Sequence, residues 1–327
     1  MKQSIKHILL FRVMKICLVG PGYKPIPPVG WGAVESIVWD YYTELKNRKV
    51  DVTILNDPDL NKVLHHILNT KYTHVHIMYD DHIVLAPYLD KEMKVFYTSH
   101  YAYITHPGFQ HMQYFHNIFK HVLQCPTIHI LAISEPIMQV YLKYGYPKDR
   151  IQVLHNGARS DLFSYTDEPL KKDRSLYLGK IEPRKRQYLY QNIKSIDFAG
   201  NYHDSSFNQK HPHYLGEWKK EILYQEMTHY GNLVLLSDGE ADPLVVKEAL
   251  MCGLGVVLSE CSSSNLDARD FVTIIPDDKL NDLEFVEKEI IRNRVISLSK
   301  RPEIRLYGLN VFSWSTIIDE YMKIIVK

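Results

Sequence analysis

The chain has 327 residues, of which 45% are hydrophobic and 24% are charged, and its formal net charge is +1. This composition is typical of a globular protein that is long enough for two ordinary domains. A net charge so close to zero excludes an overall field that would attract nucleic acid, so no nucleic-acid partner is expected. Peripheral contact with a membrane, through a local cluster of basic residues, is still consistent with this composition.

The cysteines and the N-terminus indicate a cytoplasmic protein. The four cysteines show neither a C-x-x-C pair nor regular spacing, so reduced thiols are expected rather than disulfides or zinc ligands; they are Cys17, Cys125, Cys252 and Cys261. No apolar run approaches the roughly 18 residues of a spanning helix, and the N-terminus makes a poor signal peptide. Because Met14 leads directly into a first strand, residues 1–13 are expected to be an extension with little role in the fold.

A strand, a glycine loop and a helix begin the chain. The strand covers residues 15–20, a proline-rich loop follows, and Gly30-Trp31-Gly32 opens a helix that continues to about Lys46. This order suggests a Rossmann-like half, but the dinucleotide pattern G-x-G-x-x-G is missing, which argues against NAD. Taken alone, the two glycines are also consistent with a tight turn before the helix.

Further strands are predicted at 51–56, 74–78 and 95–99, alternating with helical stretches, so a parallel sheet is expected. Ligands collect at the carboxyl ends of such strands, and His100 lies at one of these ends. The alternative for His100 is an ordinary hydrogen-bonded loop histidine. Asp80-Asp81 resembles a metal-binding D-x-D pair only loosely and is expected to be a solvated turn.

The second half opens with a strand at 175–178 that runs into Gly179 and then a basic turn containing Lys180 and Lys185. Such a turn can hold a phosphate or can simply be solvated. Arg184 and Arg186 add charge and are also consistent with a solvated flank.

The most informative stretch runs from Leu235 to Leu258. A strand at 233–236 breaks into a polar turn, and a helix follows with Asp242 as its predicted N-cap and Pro243 at its first position. Gly253 is expected to end this helix, and a buried strand is expected at 255–259. A helix N-terminus of this kind favours anions, and Glu240 and Glu248 lie on either side of it. The pattern suits a phosphorylated sugar, and the alternative is a capping turn with two solvated acids.

The spacing E-x7-E, followed by E-A-L-M-C-G-L-G-V-V, resembles the signature of retaining GT-B glycosyltransferases of the family 4 type. The resemblance implies that Glu240 contacts the transferred sugar, that Glu248 holds the ribose of the nucleotide, and that the helix start at 243–245 binds the diphosphate. Ala241-Asp242-Pro243 replaces the usual Gly-Phe-Gly, and an extra aspartate beside a diphosphate is unfavourable unless its side chain turns away.

Other segments resemble the same family in the same order along the chain. Gly30-Trp31-Gly32 resembles the loop that approaches donor phosphate and acceptor, and Lys180 stands where the family has arginine. The resemblance implies four catalytic residues, namely His100, Lys180, Lys185 and Glu240. It also implies a set of donor-binding residues, namely Gly30, Trp31, Gly32, Gly179, Gly216, Asp242, Pro243, Leu244, Val245 and Glu248.

The fold that this resemblance implies is α/β, GT-B, with two Rossmann-like domains facing a central cleft. The acceptor-side domain would cover residues 1–160, the nucleotide-sugar domain would cover 161–311, and a C-terminal helix at about 312–325 would pack back on the first domain. An Asn-Gly turn at 156–157 would lead from one domain into the other.

The implied function is a retaining, metal-independent hexosyl transfer from a nucleotide-diphosphate sugar, of UDP or GDP type, to an acceptor hydroxyl. The acceptor would be a glycan, a lipid-linked molecule or a protein, and no cofactor is expected. Two alternatives remain open, a nucleotide-sugar-binding protein without catalysis and a GT-B nucleotide-sugar epimerase.

Overall fold

The computed structural model describes residues 14–106 and 108–327, so the expected extension at 1–13 lies outside the described residues. The chain divides into two compact units. The first unit runs to Asn156 and also includes Ile317–Lys327, and the second unit is Gly157–Thr316.

A six-stranded parallel sheet forms the centre of the first unit, in the order β2-β1-β3-β4-β5-β6. Its strands are β1 (Lys15–Val19), β2 (Asp51–Leu55), β3 (His74–Ile77), β4 (Lys94–Tyr97), β5 (His129–Ala132) and β6 (Ile151–Val153). The central strands β1 and β3 are buried on both faces, as expected for a parallel sheet covered by helices.

The helices of the first unit connect these strands. They are α1 (Ala33–Asn47), α2 (Leu60–Asn69), α3 (Gln113–Leu123) and α4 (Glu135–Lys143). Asp59 caps α2, because its carboxylate accepts hydrogen bonds from the amides of Asn61 and Lys62 at 3.0 and 3.4 Å. A 3₁₀ helix, Asp80–Tyr88, follows β3.

A second parallel sheet, of five strands, forms the centre of the second unit in the order β11-β10-β9-β7-β8. Its strands are β7 (Lys171–Leu178), β8 (Ile196–Ala199), β9 (Tyr230–Leu235), β10 (Gly255–Ser259) and β11 (Val272–Ile275). Every residue of β9 and β10 is buried. With two parallel sheets and flanking helices, the predicted α/β class is confirmed.

The helices of the second unit include α5 (Gln187–Tyr190), α6 (Lys220–Glu226), α7 (Leu244–Met251), α8 (Leu283–Ser299) and α9 (Arg301–Phe312). The chain then turns at Ser313 into α10 (Trp314–Ile325). Among the described helices, none has the length and apolar character needed to cross a membrane.

The end of α10 packs within the first unit. The ring of Tyr321 meets that of Tyr41 in α1 edge to face, at 5.1 Å between centroids, and stacks on His76 at 5.5 Å. Nε2 of His74 lies 3.1 Å from the carbonyl oxygen of Ile325. These contacts attach the chain terminus to β3 and α1.

Both sheets share one strand order, in which the first strand lies between the second and the third. In a sheet of this order, the connections that follow the first and the third strands run over opposite faces of the sheet. A crevice therefore opens between these two strands at their carboxyl ends. The first-unit crevice therefore lies beyond β1 and β3, and the second-unit crevice lies beyond β7 and β9. These two places are where ligand-binding side chains are expected.

Candidate functional site

The second-unit crevice begins where β7 ends at Leu178. Gly179 follows with φ +153°, and a Cβ there would come within 3.2 Å of the Lys185 side chain. The absence of a Cβ lets Lys185 cross over the backbone of Gly179. We call residues 180–186 the basic turn. It contains the 3₁₀ helix Pro183–Lys185 and ends at Arg186, which has φ +54°.

Two side chains hold the basic turn in place. The hydroxyl of Tyr177 donates to the carbonyl of Lys185 and accepts a hydrogen bond from the amide of Leu236 at 2.8 Å. The carboxamide of Gln187 donates to the carbonyl of Lys180 at 2.9 Å. Tyr177 thus connects the basic turn to the chain that leaves β9, and both Tyr177 and Gln187 are buried.

The basic turn meets the loop after β9 through Glu240. Nζ of Lys185 lies 2.7 Å from Oε1 of Glu240, and Nη1 of Arg184 lies 3.1 Å from the same oxygen. Burial acts to raise the pKa of the Glu240 carboxyl, but the charges of Lys185 and Arg184 outweigh it and lower the pKa below its usual value. Glu240 is therefore an ionised carboxylate between two cations.

Arg184 has a structural role that the sequence did not predict. Its guanidinium also donates to the carbonyl of Gly239 and to Oγ of Ser237, while its own carbonyl accepts from the amide of Asp238 at 2.8 Å. Glu182 pairs with its other terminal nitrogen at 2.7 Å. A solvated flank, one reading that the sequence allowed for Arg184, does not account for these contacts, although 46% of the side chain is exposed. The partners beyond β9 lie more than fifty residues away and left no local signal.

Lys180 is placed differently from Lys185. Its side chain is half exposed, and Nζ lies 3.6 Å from Oε2 of Glu182. The structure thus brings Lys185 directly to Glu240, whereas Lys180 lies on the same turn with its ammonium group at the surface.

The start of α7 differs from the predicted cap. The N-cap is Pro243 rather than Asp242, and the helix begins one residue later, at Leu244. The Asp242 carboxylate instead pairs with Nζ of Lys247 and accepts from Nδ2 of Asn265 at 2.8 Å. Both charged side chains are buried. The extra aspartate is turned away into this ion pair, so its charge is neutralised next to the helix start.

The rest of α7 agrees with the prediction. The helix ends at Met251, and Gly253 follows with φ +75°, the left-handed conformation that favours glycine after a helix. Glu248 is half-buried on this helix, and Leu244 and Val245 form its half-buried first turn.

Glycine backbones lie side by side at the carboxyl ends of β7 and β8. The amide of Gly179 donates to the carbonyl of Ala199 at 3.0 Å, and the amide of Gly200 donates to the carbonyl of Gly216 at 2.9 Å. A Cβ on Gly200 would lie only 1.9 Å from the carbonyl oxygen of Gly179. Gly216 has φ +74° with open space around its α-carbon, so another molecule could approach its backbone.

The remaining predicted site residues lie in the first unit. Gly30 has φ +76°, Gly32 is the N-cap of α1, and Trp31 between them is 42% exposed. A Cβ on Gly32 would come within 2.7 Å of a carboxylate oxygen of Glu35. His100 follows β4 and is half-buried. Burial, together with the nearby His100, lowers the pKa of His76 to about 3.

The sequence suggested a solvated turn at Asp80, but the structure shows that Asp80 is buried. It begins the 3₁₀ helix after β3, is only 3% exposed, and accepts a hydrogen bond from the hydroxyl of Tyr97. Asp81 accepts from the hydroxyl of Tyr114. No group of three or more histidine, cysteine, aspartate or glutamate side chains among the described residues is arranged to hold a metal ion.

No model of a known protein family matches the chain, and no curated protein sequence matches it. Solved structures do resemble it. Sucrose-phosphate synthase from Thermosynechococcus elongatus has a TM-score of 0.76 at 15% identity, covering 95% of this chain and 98% of that one. Anabaena HepE in complex with UDP-glucose has a TM-score of 0.71 at 13% identity, with 95% and 99% covered. The lipopolysaccharide outer core galactosyltransferase WaaB has a TM-score of 0.68 at 14% identity, with 95% and 99% covered.

The chain has the GT-B fold. The likeness covers nearly the whole length of each of these proteins, and both parallel sheets match. At 13–15% identity it is a likeness of fold.

Proposed function

We propose that the protein is a retaining, metal-independent glycosyltransferase that moves a hexosyl unit from a nucleotide-diphosphate sugar to an acceptor hydroxyl. The observation that carries this proposal is the pair of cations on Glu240 in the second-unit crevice, with Lys185 at 2.7 Å and Arg184 at 3.1 Å. The likeness to HepE in complex with UDP-glucose and to the galactosyltransferase WaaB supports a UDP-type donor, with GDP as the alternative base.

The donor would lie along the crevice. The amides at the start of α7 would donate hydrogen bonds to the diphosphate, and the partial positive charge of a helix N-terminus would favour this anion. Neutralisation of Asp242 by Lys247 removes the repulsion that this aspartate would otherwise exert on the phosphates. Glu248 would accept hydrogen bonds from the ribose hydroxyls, and the open backbone at Gly216 would receive the base.

The transfer would rely on cations that the folded protein already holds on the basic turn. The bond from the anomeric carbon to the diphosphate breaks, and the acceptor oxygen forms its new bond on the same face. The hydroxyl proton passes to the departing phosphate oxygen. Lys185, Arg184 and Lys180 would stabilise the charge that grows on the diphosphate, which is often the largest catalytic contribution. Glu240, kept ionised by the two cations, would accept a hydrogen bond from a hydroxyl of the transferred sugar.

The thiols support a cytoplasmic location as part of this proposal. All four cysteines are free, and Cys17, Cys125 and Cys252 are buried. Burial raises the pKa of the Cys17 and Cys252 thiols well above the usual value, so both stay protonated and inert. Free buried thiols are typical of a reducing compartment.

Calorimetric titration with UDP, GDP and their sugar conjugates tests donor binding. We expect one base to bind, and Glu248→Ala to weaken the free diphosphate and the intact donor alike, by about 1.5–3 kcal/mol, the value of a hydrogen bond to a charged group. Glu221→Ala, at an exposed position on α6, is the control and should bind as the wild type does. Unchanged affinity in folded Glu248→Ala would remove this residue from the donor site, and absence of any nucleotide binding by the wild type would overturn the proposal.

A further inference from the structure

The cations of the basic turn are already paired with carboxylates. Each of them lies within ion-pair distance of an acidic side chain; the pairs are Lys180–Glu182, Arg184–Glu182, Arg184–Glu240, Lys185–Glu240 and Arg186–Asp238. An anion that enters the second-unit crevice therefore meets positive charge that is partly compensated. One of these carboxylates, that of Glu182, belongs to the turn itself, and the proposed donor site does not use it.

The backbone at Glu182 is held on both sides. Its amide donates to Oε1 of Gln187 at 3.4 Å, and its carbonyl accepts from the amide of Lys185 at 2.9 Å. Glu182 occupies the N-cap position of the 3₁₀ helix Pro183–Lys185, but its side chain makes no capping hydrogen bond. The turn therefore keeps its shape without the carboxylate, which can rotate about its own side-chain bonds.

The carboxylate of Glu182 bridges two cations of the turn. Its Oε1 accepts from Nη2 of Arg184 at 2.7 Å, and its Oε2 lies 3.6 Å from Nζ of Lys180. Burial acts to lower the pKa of the Arg184 guanidinium, but the charges of Glu240 and Glu182 outweigh it and raise the pKa above its usual value. Glu182 thus offsets positive charge at two positions of the turn.

These three side chains are accessible from outside the protein. Half of the Lys180 side chain and 22% of the Glu182 side chain are exposed, whereas only 11% of the Glu240 side chain is. An ion pair with such access to water contributes about 0–1 kcal/mol. An incoming anion can therefore displace the carboxylate of Glu182 at small cost, and it displaces Glu240 far less easily.

A diphosphate and the carboxylate of Glu182 compete for the same donors. Both are oxygen anions that accept hydrogen bonds from guanidinium and ammonium groups, and they repel each other when they are close together. Because the side chain of Glu182 can rotate without a change in the turn, it can move aside when a diphosphate binds and return when the diphosphate leaves. Its negative charge lowers the affinity of the turn for diphosphates.

We propose that Glu182 is a positioning residue that holds Lys180 and Arg184 and competes with the diphosphate for them. The inference rests on the proposed function, since it gives Glu182 a role in releasing the nucleoside diphosphate after transfer. Product release limits the rate of many enzymes, so a moderate affinity for this product favours turnover. The same competition accounts for Lys180, whose ammonium group lies beside Glu182.

Calorimetric titration of UDP, GDP and inorganic diphosphate into wild-type protein and two variants tests this competition. Glu182→Gln keeps the size of the side chain without its charge, and Glu182→Ala removes both. Each variant should bind the diphosphates roughly two- to fivefold more tightly, as expected for loss of a competing surface ion pair. The gain should shrink at high ionic strength, because salt screens exposed charges.

Glu221→Gln is the matched control, because it removes the same charge from an exposed position on α6. It should bind diphosphates as the wild type does. Combining Glu182→Gln with Lys180→Ala should reverse part of the gain, since Lys180 is one of the two cations that are released. In steady-state kinetics, inhibition by added nucleoside diphosphate should be stronger for Glu182→Gln than for wild type.

Weaker or unchanged binding of diphosphates by both Glu182 variants would overturn the inference and would show that Glu182 only holds Arg184 in place. An equal gain in Glu221→Gln would also overturn it, because net charge would then explain the effect. Nucleotides that bind wild type and both variants alike would contradict the role of Glu182 and leave the proposed donor site intact. Tighter binding of inorganic diphosphate by the variants, without binding of any nucleotide, would support the role of Glu182 and contradict the proposed function.

Discussion

At the scale of single residues, the proposed chemistry depends most on Lys185. Its ammonium group is largely buried and held 2.7 Å from Glu240, so it is already positioned before any donor arrives. A cation beside the diphosphate gains more attraction in the transition state than in the ground state, because charge grows as the glycosidic bond breaks. Lys180, half exposed on the same turn, should contribute less.

Lys185→Ala is therefore expected to lower kcat by about 10²–10³ with a smaller change in KM. Steady-state kinetics with the preferred donor measures both values, with Lys210→Ala, at an exposed position elsewhere in the second unit, as the control. A Lys180→Ala, Lys185→Ala double variant that folds and keeps full activity would show that no cation on the basic turn faces the leaving group.

The buried carboxyl group of Asp80 leads to a separate prediction, which concerns how the stability of the protein depends on pH. Burial raises the pKa of its carboxyl from 3.8 to about 6, with the hydroxyls of Tyr97 and Ser99 acting in the opposite direction. A raised pKa in the folded state adds stability that is fully present below about pH 3.8 and is lost as the pH rises through about 6. Asp80→Asn cannot ionise and so escapes this loss.

We expect the free energy of unfolding of Asp80→Asn, relative to wild type, to increase by about 2 kcal/mol between pH 4 and pH 7. Urea denaturation at several pH values in this window measures the difference. Comparison with wild type cancels the contribution of His76, whose lowered pKa acts on stability in the opposite sense. A difference that does not vary with pH would mean that Asp80 has an ordinary pKa in the folded protein.

At the scale of elements, the strand–turn–helix around Glu240 shows what local sequence can and cannot predict. Apolar runs predicted β9 and β10, and Gly253 predicted the end of α7. The cap at Asp242 was wrong because the competing partners, Lys247 and Asn265, became visible only in three dimensions. The carboxylate of Asp242 therefore pairs with the buried ammonium group of Lys247 and does not act as the N-cap.

The Asp242–Lys247 pair should hold the loop that carries Glu240. Burial acts to lower the pKa of Lys247, and the carboxylate of Asp242 opposes this, so each group needs the other. Lys247→Met alone should cost about 3–5 kcal/mol of stability, because it removes the cation that compensates a buried carboxylate. Asp242→Asn combined with Lys247→Met should recover most of that loss.

Chemical denaturation of the two variants measures this coupling. The carboxamide introduced by Asp242→Asn would still present an oxygen to Asn265, so the recovery isolates the effect of charge. Equal destabilisation of the single and the double variant would show that the ion pair is not what stabilises the start of α7.

Gly179 directly follows β7 and lies against the side chain of Lys185. Its φ of +153° and the 3.2 Å approach of the Lys185 side chain leave little room for a Cβ. Gly179→Ala should therefore displace the ammonium group of Lys185 and reduce kcat, while nucleotide binding at α7 is largely kept. Gly239→Ala, where a Cβ would meet nothing within 4 Å, is the matched control. Wild-type kcat in Gly179→Ala would argue against the placement of Lys185.

At the scale of the whole molecule, the order of motifs along the sequence predicted the α/β class, and the two parallel sheets confirm it. Strands that are buried on both faces carry strong local signals, whereas pairings over long sequence distances do not. For that reason the contacts of Arg184 with Ser237 and Glu240, which span more than fifty residues, could not be predicted. Asp80 was misjudged for the same reason, since Tyr97 comes from the next strand.

The most direct test of the central claim is turnover of nucleotide sugars in the presence of EDTA. Wild-type protein is incubated with a panel of UDP and GDP sugars and a panel of acceptor glycans, and both the released nucleoside diphosphate and the anomeric configuration of the product are measured. The account predicts release that persists in EDTA, depends on Lys185, and yields a product with the donor's configuration. Nucleotide-sugar binding without any release of nucleoside diphosphate or transfer would contradict it.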